Sequence, residues 1–184
     1  MAPLRIYTRR GDDGSTGLLY GGRISKADPT TEAYGSVDEA VAALGVVRAQ
    51  ADGSLAEEIL RIQRELFVVG ADLAANPNER RKLEPGVSLV SADMVEGLER
   101  VIDETVERHP LPQEFIVPGA NAVSAAIDVA RGAVRRAERR AVEAKDTGRE
   151  VNPEVLRYLN RLSDALFVLA RWQAGETEER SRGR

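Results

Sequence analysis

The sequence predicts an all-α protein: a five-helix bundle, four helices forming a core and one lying outside it, preceded by an irregular N-terminal loop. Three observations lead there. Apolar residues recur at three- and four-residue spacing through five long segments, the period of an amphipathic helix. Those segments are bounded by residues that cap or break helices. The first 26 residues, in contrast, show no helical period. At 184 residues the chain is long enough for one domain with a core and short for two. A single helical domain over residues 1–175 is expected, with 176–184 a polar, disordered tail.

The loop comes first. Thr8-Arg9-Arg10-Gly11-Asp12-Asp13-Gly14-Ser15-Thr16-Gly17 gathers glycines, hydroxyls and two acids. Such a segment turns sharply and presents backbone N–H groups and hydroxyls to phosphate, with Arg9, Arg10 and Lys26 supplying charge. It is not a Walker P-loop, because the GxxxxGK[ST] pattern is absent. Asp12 and Asp13 repel phosphate unless a cation or backbone donors engage them, so a nucleotide bound here is expected with Mg²⁺. The alternative is a pair of tight turns without a ligand.

The helices follow in order: Thr31 to Ala51, Ser54 to Ala75, Ser91 to His109, Asn121 to about Asp146, and Asn152 to about Ala174. Ser54 with Glu57 resembles a capping box, Ser91 is placed to cap the third helix, and Asn152-Pro153 opens the fifth. Leu60, Ile62, Leu66, Phe67, Val69 and Leu73 form the apolar face of the second helix; Leu159, Leu162, Leu166 and Leu169 form that of the fifth. Both belong in a bundle core. The third helix, apolar on one side and acidic on the other, is expected outside. Between the second and third, NPNERRKLEPG (residues 76–86) reads as a surface loop.

Composition removes several classes of function. There is no cysteine, which excludes disulfides, thiolate metal sites and a thiol nucleophile. The one histidine, His109, sits at a helix end, where capping or solvent contact is its usual role. A net charge of −4 gives nucleic acid and anionic membranes no general attraction. No apolar run approaches the roughly 20 residues of a membrane span, and the N-terminus lacks the apolar core of a signal peptide. A cytoplasmic location is expected.

Any anion site is therefore local, and the fourth helix offers one. In ARGAVRRAERR, at about 100° per residue, Arg131, Arg135, Glu138 and Arg139 share one arc, while Arg136 and Arg140 point elsewhere. The planar guanidinium donates bidentately to phosphate or carboxylate and keeps its charge. A solvated face with i,i+4 ion pairs is the alternative. Asn160 and Asp164 lie one turn apart in the fifth helix beside its leucines, open to interhelical hydrogen bonds or an Arg161–Asp164 pair. Phe115 opens FIVPG, an apolar stretch before the arginine-bearing helix.

Taken in order, IYTRRGDDGSTGLLYGGRISK, EAYGSVDEA, FIVPG, VARGAVRRAERR and YLNRLSDALFVLAR resemble the PduO-type ATP:cob(I)alamin adenosyltransferases over nearly the whole chain. The resemblance implies transfer of the 5′-deoxyadenosyl group of ATP to the cobalt of reduced corrinoid, at sites shared between subunits of a homotrimer. The N-terminal loop, at Thr8, Gly11, Asp12, Gly14, Ser15, Thr16 and Lys26, with Arg9, Arg10 and Gly17 beside them, would wrap the triphosphate. Arg135, Glu138, Arg139 and Asn160 of the neighbouring subunit would meet nucleotide and metal, Glu138 being the metal residue. Asp38 would pair across the interface with Arg131, and Phe115 would displace the lower axial ligand of cobalamin. Arg131, Arg135, Asp38 and Phe115 are thus the catalytic candidates, with Mg²⁺, ATP and cobalamin the bound species. A reductase that supplies Co(I) and an adenosylcobalamin-dependent enzyme are the implied partners.

The chain departs from the family pattern at Arg10, Val41, Ala120 and Asp128, where the family commonly has threonine, asparagine, glycine and histidine. The last three bear on corrinoid affinity. A non-catalytic carrier or sensor of ATP or adenosylcobalamin is the rival reading.

Overall fold

A computed structural model describes residues 7–177 and 179–181. It contains five α-helices, all at the expected places: α1 (Pro29–Arg48), α2 (Gly53–Leu73), α3 (Ala92–Arg108), α4 (Ala122–Asp146) and α5 (Pro153–Ala174). α1 packs against α2 and α4, α4 against α5, and α2 meets α5 to close the ring; α3 lies outside on α5. Leu44, Ile62, Leu66, Leu159, Leu162 and Leu166 fill the centre with alanines of α4, where Ala130, Ala137 and Ala141 are fully buried. Small residues on α4 let its neighbours approach closely on both sides, so its arginines stand at the rim of a tight helix contact.

The boundaries follow local chemistry. Asp28 caps α1, its carboxylate accepting from the Thr30 N–H at 2.9 Å. Asn121 and Ser124 cap α4 reciprocally, and Asn152 caps α5 with Pro153 in its first turn. Ser54 does not cap α2: the helix begins at Gly53, whose φ of +54° turns the chain, and Asp52 holds the cap position without a side-chain bond. Ser91 likewise caps α3 by position only. Phe67, expected in the α2 core face, is exposed, because it falls beyond the arc that α1 and α5 cover.

Two connections are more ordered than their composition indicates. Residues 76–86 contain a 3-10 turn, Pro77–Lys82. Arg80 in it pairs with Asp72, which is 1% exposed. Asp72 also accepts from the Val90 N–H at 2.9 Å and the Asn152 amide at 2.7 Å. A buried carboxylate is tolerable only with such donors, and this one ties α2, the turn, the start of α3 and the start of α5 together. After α5, Gly175–Thr177 forms a 3-10 turn, and β4 (Glu179–Arg180) pairs antiparallel with β3 (Ile116–Val117). The part of the tail that is described is therefore paired rather than loose, because Ile116–Val117 presents a free strand edge; Glu178 and residues 182–184 lie outside the described residues. No helix among the described residues is long and apolar enough to cross a membrane.

Candidate functional site

The N-terminal loop folds as a hairpin of β1 (Ser15–Gly17) and β2 (Arg23–Ser25), Thr16 facing Ile24. Its turn runs through Tyr20, Gly21 and Gly22, with φ of 65°, 93° and 87°, a region glycine enters freely and tyrosine does not. Tyr20 is held there by its surroundings. Its hydroxyl donates to the Lys82 carbonyl at 3.1 Å. Leu19 donates to the Ala74 carbonyl at 2.9 Å and accepts from Asn76 at 3.0 Å, and the Asn76 amide donates to the Gly21 carbonyl at 3.0 Å. The hairpin is thereby stitched to the end of α2.

The glycine-rich arm is closed by two cations. Arg23 donates to the Arg10 carbonyl, to Ser15 Oγ and, at 3.4 Å, to Asp13. Lys26 Nζ donates to the Gly11 carbonyl at 2.7 Å, and a Cβ on Gly11 would lie 3.2 Å from that nitrogen. A side chain there would push the lysine back by a few tenths of an ångström. The donors expected to relieve Asp13 come from within the loop: the Ser15 hydroxyl at 2.7 Å and the Ser15 N–H at 2.9 Å. These two, with Arg23 assisting, hold the Asp13 carboxyl below the usual carboxylate range. Asp12 stays exposed, as do Thr8, Arg9, Arg10, Gly14 and Gly17. Arg23, Tyr20 and Asp28 were not singled out from sequence, although the Gly21-Gly22 pair between short strand-like runs is a hairpin signal that places Arg23 opposite Gly17.

The arginines of α4 divide as their angles predict. Arg136 pairs with Glu39 at 2.6 Å and Arg140 with Glu143 at 2.7 Å. Arg135 and Arg139 are exposed and without ion-pair or hydrogen-bond partners among the described residues. Glu138 accepts from the Asn160 amide at 3.0 Å, joining α4 to α5. Arg161 pairs with Glu99 and with Asp164, each at 3.0 Å. No cluster of three potential metal ligands occurs among the described residues. A lone carboxylate such as Glu138 fits only an ion that brings most of its own ligands, as Mg²⁺ on a triphosphate does with water and phosphate oxygens.

One turn before Arg135 lies a cavity of about 810 Å³ between α3, the 111–118 segment, α4 and α5. Ile102, Val106, Ile116 and Phe167 give it apolar walls. Phe115 stands at its mouth, 87% exposed. Arg131 reaches in from α4, its guanidinium 5.4 Å from the centre of the Phe167 ring, and its Nε is buried with no hydrogen-bond partner among the described residues. Asp38, on α1, is exposed and has no partner within the described chain. The loop residues thus come together, as do Phe115 and Arg131, and Glu138 with Asn160. Among the described residues no hydrogen bond or ion pair joins the loop to Arg135, Glu138 or Asn160.

This chain is similar to proteins whose names describe one activity. A corrinoid adenosyltransferase of Citrobacter freundii is 41% identical over 168 residues, covering 91% of this chain and 93% of that protein. The corrinoid adenosyltransferase of Mycobacterium tuberculosis strain H37Rv is 41% identical over 172 residues, covering 91% and 87%. Among solved structures, a variant PduO-type ATP:corrinoid adenosyltransferase from Lactobacillus reuteri, complexed with cobalamin and ATP, superposes with a TM-score of 0.84. It is 33% identical and covers 92% of this chain and 93% of that one. The family model for cobalamin adenosyltransferase matches residues 6–173. With so much of the chain spanned, it belongs to the cobalamin adenosyltransferase family.

Proposed function

We propose that this protein transfers the 5′-deoxyadenosyl group of ATP to the cobalt of reduced corrinoid, releasing triphosphate and forming adenosylcobalamin. The observation that carries the reading is a cavity that Phe115 and Arg131 share, the Arg131 Nε without a partner among the described residues, with the exposed guanidiniums of Arg135 and Arg139 one and two turns further along α4. In this reaction Co(I) attacks C5′; a Co–C bond forms and the C5′–O bond breaks, its electron pair leaving with the triphosphate. Co(I) supplies its own nucleophilicity, so no side-chain nucleophile or base is required. That agrees with a chain of no cysteine and one histidine.

The protein's tasks are then positioning and charge stabilisation. Lys26, the Gly11–Gly17 amides and the hydroxyls of Thr8, Ser15 and Thr16 would hold the triphosphate. Arg135 and Arg139 would neutralise charge that grows on it as it leaves. Glu138, fixed by Asn160, would hold Mg²⁺, which when bound shields the phosphate oxygens. Phe115 and the cavity walls would exclude water from the cobalt face. That no bond joins loop and helix face among the described residues supports a site between subunits of a homotrimer, with Asp38 of one reaching Arg131 of the next. A cytoplasmic reductase would supply Co(I), and an adenosylcobalamin-dependent enzyme would take the product.

Purified protein given ATP, Mg²⁺ and chemically reduced cobalamin should consume Co(I), followed by its absorbance, only when both ATP and protein are present. Tight ATP binding without loss of Co(I) would overturn the enzyme reading and favour a carrier.

A further inference from the structure

Arg131 should not be unpaired. Asp128 stands three residues before it on α4, both line the same cavity, and an Asp–Arg pair at that spacing forms readily on a helix. In a site sheltered from water its attraction would be stronger than on a surface. Asp128 instead pairs with Arg171 of α5, and both side chains are nearly buried. Phe167, one turn before Arg171, meets both arginines: the Arg131 and Arg171 guanidiniums are each 5.4 Å from its ring centre. The ring gives Arg131 an uncharged surface to rest on.

We propose that Arg171 is a positioning residue for Arg131: by engaging Asp128 it prevents the neighbouring carboxylate from quenching Arg131, whose guanidinium stays available to an acid or ligand from outside the chain. The proposal rests on the reading of Arg131 given above and deepens it. The aspartate at 128 puts a carboxylate within reach of the arginine that must stay free, and Arg171 is the countermeasure in this chain.

The test is Arg171→Gln, with Asp128→Asn added in a second variant. Freed from Arg171, Asp128 turns onto Arg131; kcat/KM for reduced cobalamin should fall at least tenfold, while KM for ATP moves less than threefold. Adding Asp128→Asn should recover most of that loss, which a residue needed only for folding would not allow. A double variant no better than the single overturns the proposal, as does a single variant with unchanged kcat/KM. Arg171→Gln leaves a nearly buried carboxylate without its cation; should it not fold, the double variant decides alone. A kcat/KM well above that of Arg131→Ala is then expected, and one equally low overturns the proposal. If the unaltered protein itself fails to adenosylate, the corrinoid reading falls separately. The pairing is then judged by crystal structures of the unaltered protein and of whichever variant folds: Arg131 free of Asp128 in the former, and in Arg171→Gln Asp128 bonded to Arg131, are expected. Asp128 paired with Arg131 in the unaltered protein, or still turned toward residue 171 in the variant, overturns it.

Discussion

Arg135 and Arg136 are adjacent and opposite in circumstance: one is free, the other is held by Glu39 at 2.6 Å. That difference decides what each substitution does. Arg135→Ala should lower kcat/KM by about a hundredfold to a thousandfold, the scale of one lost donor to a developing anion; steady-state kinetics that find it unchanged remove Arg135 from the site. Which arginines share a face is legible from the helical angle alone, since an i,i+1 neighbour points 100° away. The partners of Asp128, Asp13 and Asp28 were not, because Arg171, Arg23 and Arg149 reach them only after the chain folds back. Asp13 also sets a pH limit. Its carboxyl is held below its ordinary value of about 3.9, so the stabilisation it gives is full above that value and fades as pH falls through the lowered folded value. The protection factor of the Ser15 N–H, its exchange rate corrected for the intrinsic pH dependence of amide exchange, should hold down to about pH 4 and fall below it. In Asp13→Asn that dependence should vanish.

The helices were legible as existing elements because each carries a sustained period and, in three of five, a side-chain cap. Their joints were less so. Asn152 was read as a cap, and it is one, accepting from Glu154 at 3.0 Å; its amide also donates to Asp72 and to the Val90 carbonyl at 3.0 Å. Replacing it removes both services. Asn152→Ala should cost about 2–4 kcal/mol, a cap plus buried acceptors left short of a donor, measured by urea unfolding. Asn152→Asp keeps the cap but sets a second carboxylate against buried Asp72, and it should be no more stable than the alanine variant. A purely capping role would instead leave the aspartate variant close to the parent protein. Short strands escaped detection for a plainer reason: β3 and β4 each have two residues, too few to show alternation.

A site shared between chains, as proposed, has a consequence for assembly that mixing reveals. A Lys26→Ala chain keeps an intact helix face, and an Arg135→Ala chain keeps an intact loop. Co-refolded in equal amounts, the two inactive variants should regain about a quarter of the parent activity, since a site at an interface is whole when each side comes from the right chain. Sites built inside single chains would regain nothing. Asp38→Arg with Arg131→Asp should restore more assembly and corrinoid use than either change alone if those residues meet; sedimentation and kinetics give the answer. The strand pairing also bears on how the protein can be handled. Tyr7 leads directly into the glycine-rich arm, while the Ser181 N–H donates to the Phe115 carbonyl at 2.8 Å. Each extremity of the described chain therefore adjoins a different half of the proposed site. An affinity tag fused ahead of the first should disturb the response to ATP, and one fused behind the last the response to corrinoid.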